Sequence, residues 1–356
     1  MTVALALHAL FLFQSSVAAT AQDAARVDAI VQEAMHGEGA VGLSVAVMRG
    51  DEVVVSKAYG LADLEFAVRA DEETMFRIGS VTKQFTAAGI LRLAERGKLA
   101  VDDPLTKFLP DYPTHGQEIT LRHLLTHTSG VHDYTALRLE WAPLQARELS
   151  DAELVALWQD LPLDFAPGEK WSYSNSGYYL LGMVIAKVSG SSYADFLRET
   201  FFEPLKLTRT RYDSNGEVIP NRAQGYAFEG GKLWNDRLLA MSQPGAAGGL
   251  ISTASDLVRW QRALVTGRVV QPESYLEMTT PFMLDSGRET GYGMGLLLDT
   301  QAGQPCVWHG GSIPGFHSVL LHFPGEELLI GVISNSEGLR ADVLGVELAK
   351  ALLATK

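Results

Sequence analysis

Cysteine and positive charge are both scarce in this sequence of 356 residues. Cys306 is the single cysteine, so no disulfide can form within the chain. The 42 aspartates and glutamates outnumber the 29 lysines and arginines, which gives a formal net charge of -13. Nucleic acids and anionic membrane surfaces bind basic patches, so this composition argues against both as partners. We expect a small-molecule or peptide substrate instead.

Two kinds of catalytic signature are also missing from the sequence. No group of histidine, cysteine, aspartate and glutamate has the spacing of a metal site, and no Gly-x-Ser-x-Gly elbow occurs. Neither a zinc enzyme nor an α/β-hydrolase is therefore indicated, and we expect no cofactor and no metal. The 47% hydrophobic residues are enough for a sizeable core.

The sequence also lacks an apolar run long enough to span a membrane, and its most apolar stretch lies at the N-terminus. Residues 3–13 are apolar apart from one histidine, and Ala19-Thr20-Ala21 matches an Ala-x-Ala cleavage site. This run is too short to span a bilayer. We predict a signal peptide over residues 1–21, export to the periplasm or medium, and no stable membrane insertion after its removal. The n-region is atypical because it lacks basic residues, and a core helix is the alternative.

One stretch places a hydroxyl and an amine three residues apart, Ser80 and Lys83. Apolar residues follow at helical period up to Gly97, so Lys83 is predicted one turn beyond Ser80 on the same face. Serine needs a neighbouring base to become a nucleophile, and lysine acts as a base only if its pKa falls by ~3 units. Ser-x-x-Lys is a short pattern, and a helix cap followed by a solvated lysine is the alternative.

Strand and helix signals divide the chain into two predicted lobes. Strand-like runs lie near both ends of the chain, at Val41–Met48, Val53–Ala58, Gly293–Leu298, Cys306–His309, His317–His322 and Leu328–Ile333. Helices are predicted over 23–36, Tyr179–Val188, Tyr193–Phe202 and Leu339–Leu353, and long surface loops over 211–249. We therefore predict an α/β (α+β) fold in which both ends form one antiparallel sheet flanked by helices. The sheet lobe would comprise 22–76 and 250–356, and a mostly helical lobe 77–249, with the substrate between them.

Two further motifs suit a serine-centred site. Tyr173-Ser174-Asn175 places a phenol and an amide two residues apart before a helix. A tyrosine with a lowered pKa could accept the serine proton or pass it to the leaving group, and the amide could bind a carbonyl. Trp308-His309-Gly310-Gly311-Ser312 sets glycines into a strand, where they let another backbone or a ligand approach closely. Each motif alone is weak, because turn aromatics and structural histidines are common.

Together these motifs resemble the serine β-lactamase and penicillin-binding-protein superfamily, in its class C-like branch of D-aminopeptidases, D-alanyl-D-alanine carboxypeptidases and esterases. The resemblance covers nearly everything after the signal and includes four longer segments: Phe76–Ser80, Leu124–Gly130, Tyr173–Tyr178 and Gly248–Thr253. It implies the β-lactamase/transpeptidase-like fold.

The resemblance also implies roles for the site residues. Ser80 would form the acyl-enzyme, Lys83 and Tyr173 would share the proton transfers, and Asn175 would orient the substrate. The N–H groups of Ser80 and Ser312 would form the oxyanion hole, worth ~3–4 kcal/mol for each donor. Which of Lys83 and Tyr173 is the acylating base stays open.

One departure from the family pattern bears on the substrate. Many β-lactamases of this superfamily have Lys-Thr-Gly or Lys-Ser-Gly where this chain has His309-Gly310-Gly311, and they use that lysine and hydroxyl to bind a carboxylate. A histidine of ordinary pKa is only about one-quarter charged at pH 7, and glycine has no hydroxyl. We therefore predict a hydrolase of D-amino-acid peptides or small esters. Two alternatives stay open: β-lactamase activity, and a non-catalytic protein that binds peptidoglycan.

Overall fold

The two ends of the chain meet in one antiparallel sheet of seven strands. The computed structural model describes residues 22–354, and the predicted signal peptide lies outside them. The strand order is β3-β2-β1-β12-β11-β10-β9. These strands are β1 (Gly42–Arg49), β2 (Glu52–Asp63), β3 (Val68–Arg69), β9 (Leu297–Gln301), β10 (Gln304–Ile313), β11 (Phe316–Phe323) and β12 (Leu328–Ser334).

Within residues 22–354, two smaller sheets accompany the seven-stranded sheet. Strands β4 (Phe76–Arg77), β8 (Leu250–Ser252) and β5 (Arg211–Tyr212) form a three-stranded sheet, and β6 (Tyr226–Glu229) pairs with β7 (Lys232–Asn235). The helices are α1 (22–35), α2 (Thr82–Glu95), α3 (Leu121–Leu125), α4 (Arg138–Trp141), α5 (Asp151–Val155), α6 (Asn175–Ser189), α7 (Tyr193–Leu197), α8 (Glu203–Leu205), α9 (Gly245–Gly248), α10 (Ala254–Val265), α11 (Pro272–Met278) and α12 (Ala341–Leu353). In the described residues no helix is long and apolar enough to cross a membrane.

Successive side chains on the central strands point alternately to the two faces of the sheet, and each face packs against its own layer of the core. On β1, Val45 and Val47 pack with apolar residues of α1 and α12, whereas Ala46 and Met48 pack with the cluster that includes α2 and α10. Because successive strand side chains point to opposite faces, a strand covered on both faces becomes apolar throughout. The predicted fold class and the β1–β2 hairpin are confirmed.

Two local predictions are wrong. The segment Gly293–Leu296 is not strand, because Gly295 has φ +74 and packs its backbone against the carbonyl of Lys83. The predicted surface loop also fails over 239–249, which is almost entirely buried and contains α9. Small residues there allow close packing: a Cβ on Gly245 would lie 2.7 Å from the ring of Tyr179.

Candidate active site

The serine and lysine of the first motif lie where β4 runs into α2. A single 3-10 turn, Gly79–Val81, joins the two elements. Gly79 has φ +47 and packs against the backbone of Ser312, so a side chain there would be strained and crowded. Lys83 follows one turn later, and its Nζ donates to Ser80 Oγ at 3.2 Å. The predicted reach of the amine to the hydroxyl is confirmed.

Lys83 is completely buried, and its remaining partners are uncharged. Its Nζ also donates to Asn175 Oδ1 at 2.8 Å and to the carbonyl oxygen of Ala247 at 2.9 Å. The ring of Tyr173 lies 4.6 Å from the same nitrogen. Burial lowers the pKa of Lys83 to about 7, although the nearby Asp133 carboxylate opposes the change. A substantial fraction of the amine is therefore neutral at physiological pH, which is the state that a base requires.

Burial determines the protonation state of Tyr173. It faces Ser80, whose hydrogen bond lowers the phenol pKa, but burial is the larger effect and raises that pKa. Of the two roles considered for this tyrosine, burial disfavours acceptance of the serine proton and leaves the passing of a proton to the leaving group, and the motif does not reveal how deeply the ring is buried. A protonated phenol beside Ser80 can pass a proton on to another group. It cannot accept the Ser80 proton as a phenolate base, because it is not deprotonated.

A polarised chain of hydrogen bonds fixes the amide of Asn175. Asp133 accepts from the Thr135 hydroxyl at 2.5 Å and from the backbone N–H of Asn175 at 3.0 Å. Since the Thr135 proton points to the carboxylate, its oxygen is left to accept from Asn175 Nδ2, at 3.3 Å. Asn175 Oδ1 must then face Lys83, and one N–H of the amide remains for a substrate.

The strand carrying Gly311 and Ser312 passes directly beside this site. A Cβ on Gly311 would lie 2.0 Å from the carbonyl oxygen of Ile78, so only glycine fits. Strand β9 pairs with β10 no further than Trp308, and beyond that point the edge of β10 runs past the Ser80 turn. Such an edge can offer backbone N–H groups to a bound carbonyl.

His309 is neutral and engaged on both sides of its ring. Its Nδ1 lies 2.6 Å from the carbonyl oxygen of Gly310, so that nitrogen is the donor, and Nε2 accepts from the Tyr292 hydroxyl at 3.0 Å. Burial, with a contribution from the Lys83 charge, lowers the pKa of His309 to about 3. His309 therefore lacks even the partial charge expected of a histidine of ordinary pKa, because burial removes its charge and the carbonyl oxygen of Gly310 accepts its Nδ1 proton. That His309 contacts the substrate stays a prediction.

His127 holds the tyrosine loop in place. This residue has φ +60, and its Nδ1 accepts from the backbone N–H of Ser174 at 3.1 Å. Its ring packs 4.3 Å from that of Tyr173. Among other aromatic residues, Tyr134 lines a cavity beside Ser80, whereas Trp234 is exposed elsewhere and Phe316 belongs to the core.

Several groups at the site carry no sequence signal that we recognised. Asp133 and Thr135 follow the His127 loop, but nothing in their spacing marks them as partners of Asn175. Ala247 contributes a backbone carbonyl, which any residue could supply. Tyr292 precedes a glycine-rich turn and its link to His309 depends on the fold.

Two cavities open at Ser80. One of about 210 Å³ and another of about 590 Å³ share Ser80, Asn175 and Ser312 in their walls. A larger cavity of about 800 Å³ lies around Arg198 and Tyr212, but Ser80 does not line it. Among residues 22–354 no cluster of side chains suited to a metal ion is found. Ser80, Lys83, Tyr173, Asn175 and Ser312 thus converge, as the reaction chemistry would require.

Known proteins resemble the chain over nearly all of its described length. The sequence profile of the family described as Beta-lactamase matches residues 27–354. Penicillin-binding protein 4* of Bacillus subtilis (strain 168) is 29% identical, over 83% of this chain and 68% of that protein. The D-aminopeptidase of Gluconobacter oxydans (strain 621H) is 28% identical, over 87% of this chain and 59% of that enzyme.

A solved structure agrees with these sequence matches. The D-amino acid amidase of Ochrobactrum anthropi SV3, in complex with L-phenylalanine amide, superposes with a TM-score of 0.78 at 28% identity, covering 93% of this chain and 96% of the amidase. The profile match and this shared fold agree on the same assignment. The chain belongs to the Beta-lactamase family and is a serine hydrolase.

Proposed function

We propose that the protein hydrolyses amide bonds next to D-amino acids, and activated esters, through an acyl-enzyme on Ser80. The observation that carries the proposal is the buried Lys83 amine 3.2 Å from the Ser80 hydroxyl, with a pKa of about 7. The D-residue preference is supported by likeness to a D-aminopeptidase and a D-amino acid amidase.

The acylation step follows from these positions. Neutral Lys83 accepts the Ser80 proton as Oγ bonds to the substrate carbonyl carbon, and the carbonyl electron pair moves to oxygen. The backbone N–H groups of Ser80 and Ser312 stabilise that oxyanion. As the C–N or C–O bond breaks, the departing group takes the proton from Lys83 through the Tyr173 hydroxyl. Water then attacks the ester, its proton returns to Ser80 by the same groups, and the acid is released.

Two alternatives fit less well. A β-lactamase of this superfamily would need a cation and a hydroxyl for the substrate carboxylate, whereas His309 is neutral here and Gly310 has no hydroxyl. Losing a charged hydrogen bond of ~1.5–3 kcal/mol predicts ~10- to 100-fold weaker use of β-lactams. A non-catalytic binding protein would have no need for a buried amine directed at a serine.

We test the proposal by covalent labelling and turnover. A fluorophosphonate should label Ser80, and D-aminoacyl p-nitroanilides should be hydrolysed faster than their L-isomers and faster than nitrocefin. Ser80→Ala should abolish labelling and turnover, whereas Ser286→Ala, at an exposed serine outside both cavities, should change neither. Correctly folded protein that stays unlabelled would support the binding-protein alternative, and faster nitrocefin turnover would support the β-lactamase.

We further propose export of the mature chain. The support is the apolar run over 3–13 followed by Ala19-Thr20-Ala21. N-terminal sequencing of protein from the culture medium or periplasm should give a start after Ala21. Recovery of the full N-terminus from the cytoplasm would contradict it.

A further inference from the structure

The two cavities that meet at Ser80 differ in charge. The walls of the cavity of about 590 Å³ include His317, Arg340 and Asp342. The cavity of about 210 Å³ has no aspartate, glutamate, lysine, arginine or histidine in its walls. The apolar and aromatic side chains in its walls include Tyr134, Trp141, Leu239, Pro244, Ile313 and Pro314. A substrate spanning Ser80 therefore meets an apolar environment in one cavity and a charged one in the other.

The apolar cavity has the size of a small ring system. In another protein, an apolar cavity of about 150 Å³ takes up benzene. The cavity here, at about 210 Å³, has room for a phenyl ring with a short methylene link. A charged group placed there would lose its hydration without finding a counter-charge, which is costly.

The wall of the apolar cavity is held in position before substrate arrives. Trp141 Nε1 donates to Oε1 of the fully buried Gln243 at 2.7 Å, which leaves the rest of the indole apolar. The Gln243 Nε2 donates in turn to the carbonyl oxygens of Leu144 and Arg147, at 2.7 and 2.6 Å. The Tyr134 ring packs edge-on against Trp141, with centroids 5.3 Å apart. A preformed wall reduces the ordering cost of binding.

The position of Tyr173 indicates which part of the substrate enters which cavity. Tyr173 lines the charged cavity and not the apolar one. The departing amine of an amide receives its proton through this phenol, so the departing group must lie on the charged side. The side chain of the acyl group, which stays on Ser80, then enters the apolar cavity.

We infer that the substrate carries an aryl or large aliphatic side chain on its acyl group, bound between Trp141, Tyr134 and Leu239, and a polar departing group beside Arg340 and Asp342. This inference rests on the proposed function and deepens it. It makes Trp141 a specificity-determining residue.

The test is a series of p-nitrophenyl esters that share one departing group. The acyl groups are acetyl, butyryl, 3-phenylpropionyl and succinyl, the last with a terminal carboxylate. We expect kcat/KM to rise at least ~10-fold from acetyl to 3-phenylpropionyl, because filling an apolar pocket gives discrimination of this order. Succinyl should fall below butyryl. A flat series, or a preference for succinyl, would overturn the inference.

Matched tryptophan variants locate the effect. Trp141→Ala should reduce the 3-phenylpropionyl-to-acetyl ratio by about 10-fold. Trp308→Ala, in the wall of the charged cavity, should leave that ratio within about twofold. Equal loss in both variants would contradict the assignment. If Trp141→Ala does not fold, the ester series measured on the wild-type protein is sufficient to test the inference.

The outcomes separate this inference from the proposed function. Fluorophosphonate labelling of Ser80 with a flat acyl series would remove the inference and leave the proposed function intact. Absence of labelling and of all ester turnover would remove both.

Discussion

Lys83 and Asp213 are both completely buried ionisable groups, yet the fold surrounds them in opposite ways. Asp213 accepts from the guanidinium groups of Arg77 and Arg222, at 2.8 and 2.9 Å, and from a backbone N–H. Lys83 has a hydroxyl, an amide oxygen and a backbone carbonyl as hydrogen-bond partners. Burying a charge without a paired countercharge is unfavourable, so the lysine loses its proton readily.

The difference separates a structural charge from a reactive one. The ion pairs of Asp213 tie β4 to the segment after β5, and they neutralise the carboxylate. The surroundings of Lys83 leave its charge unneutralised at close range, and Asp133 acts on it only from beyond hydrogen-bonding distance. Perturbed protonation beside a nucleophile is a property of catalytic sites. The following predictions test this comparison.

Replacing Lys83 by arginine should have the largest effect. Arginine keeps the positive charge but does not deprotonate in proteins, so it cannot accept the Ser80 proton. We expect kcat/KM for a D-aminoacyl p-nitroanilide to fall by about 10²–10⁴, and Lys83→Ala should be equally inactive. Circular dichroism should confirm that both variants are folded. Near-normal turnover by Lys83→Arg would show that Lys83 contributes charge and not base catalysis.

Tyr173→Phe should cause a smaller loss, because the variant lacks the proton relay but retains Lys83 beside Ser80. We expect kcat/KM for amides to fall about 100-fold. Activated esters should lose less, since p-nitrophenolate departs without a proton. A larger loss for esters than for amides would contradict the relay.

Asp133→Asn should move the pH dependence of the reaction. The wild-type kcat/KM should rise with pH through a midpoint near 7, where Lys83 loses its proton. The Asp133 carboxylate raises the pKa of Lys83, so its removal should shift this rise to lower pH and increase the activity ratio of pH 6 to pH 8.

Thr135→Val is the matched control for that prediction. It removes the hydroxyl that orients the Asn175 amide but keeps the carboxylate. We expect a lower rate with an unchanged midpoint. If both variants shift the midpoint alike, the effect of Asp133 is geometric rather than electrostatic.

Arg222→Met should change stability without changing the chemistry. One of the two guanidiniums on Asp213 is lost, and a hydrogen bond to a charged group is worth about 1.5–3 kcal/mol. We expect the free energy of unfolding to fall by about 2 kcal/mol, measured by urea denaturation, with the midpoint of the pH profile unmoved. A shifted midpoint of the pH profile would contradict the assignment of Asp213 to a purely structural role.

The sequence predicts the contacts that depend on local geometry. Ser80 and Lys83 stand one helical turn apart, so any helix through Thr82 and Phe85 brings them together. Alternating and apolar runs likewise predict the strands of the sheet from both ends of the chain.

The contacts that depend on tertiary packing could not be predicted. Ala247 offers Lys83 a carbonyl that has no side-chain signature, from a segment whose glycines suggested an exposed loop. The protonation of Tyr173 and His309 is set by burial, which their motifs do not encode. Recognising Asp133 required knowing that Thr135 and Asn175 are neighbours in space.

The pH dependence of Ser80 labelling tests the account most directly. Intact-protein mass spectrometry would follow fluorophosphonate modification of the wild type between pH 5 and 11, with peptide mapping of the modified residue. We predict one adduct, on Ser80, whose rate of formation rises with pH to a plateau, with a midpoint near 7. An adduct on another residue, or a rate that rises only near pH 10 as for an ordinary lysine, would contradict it.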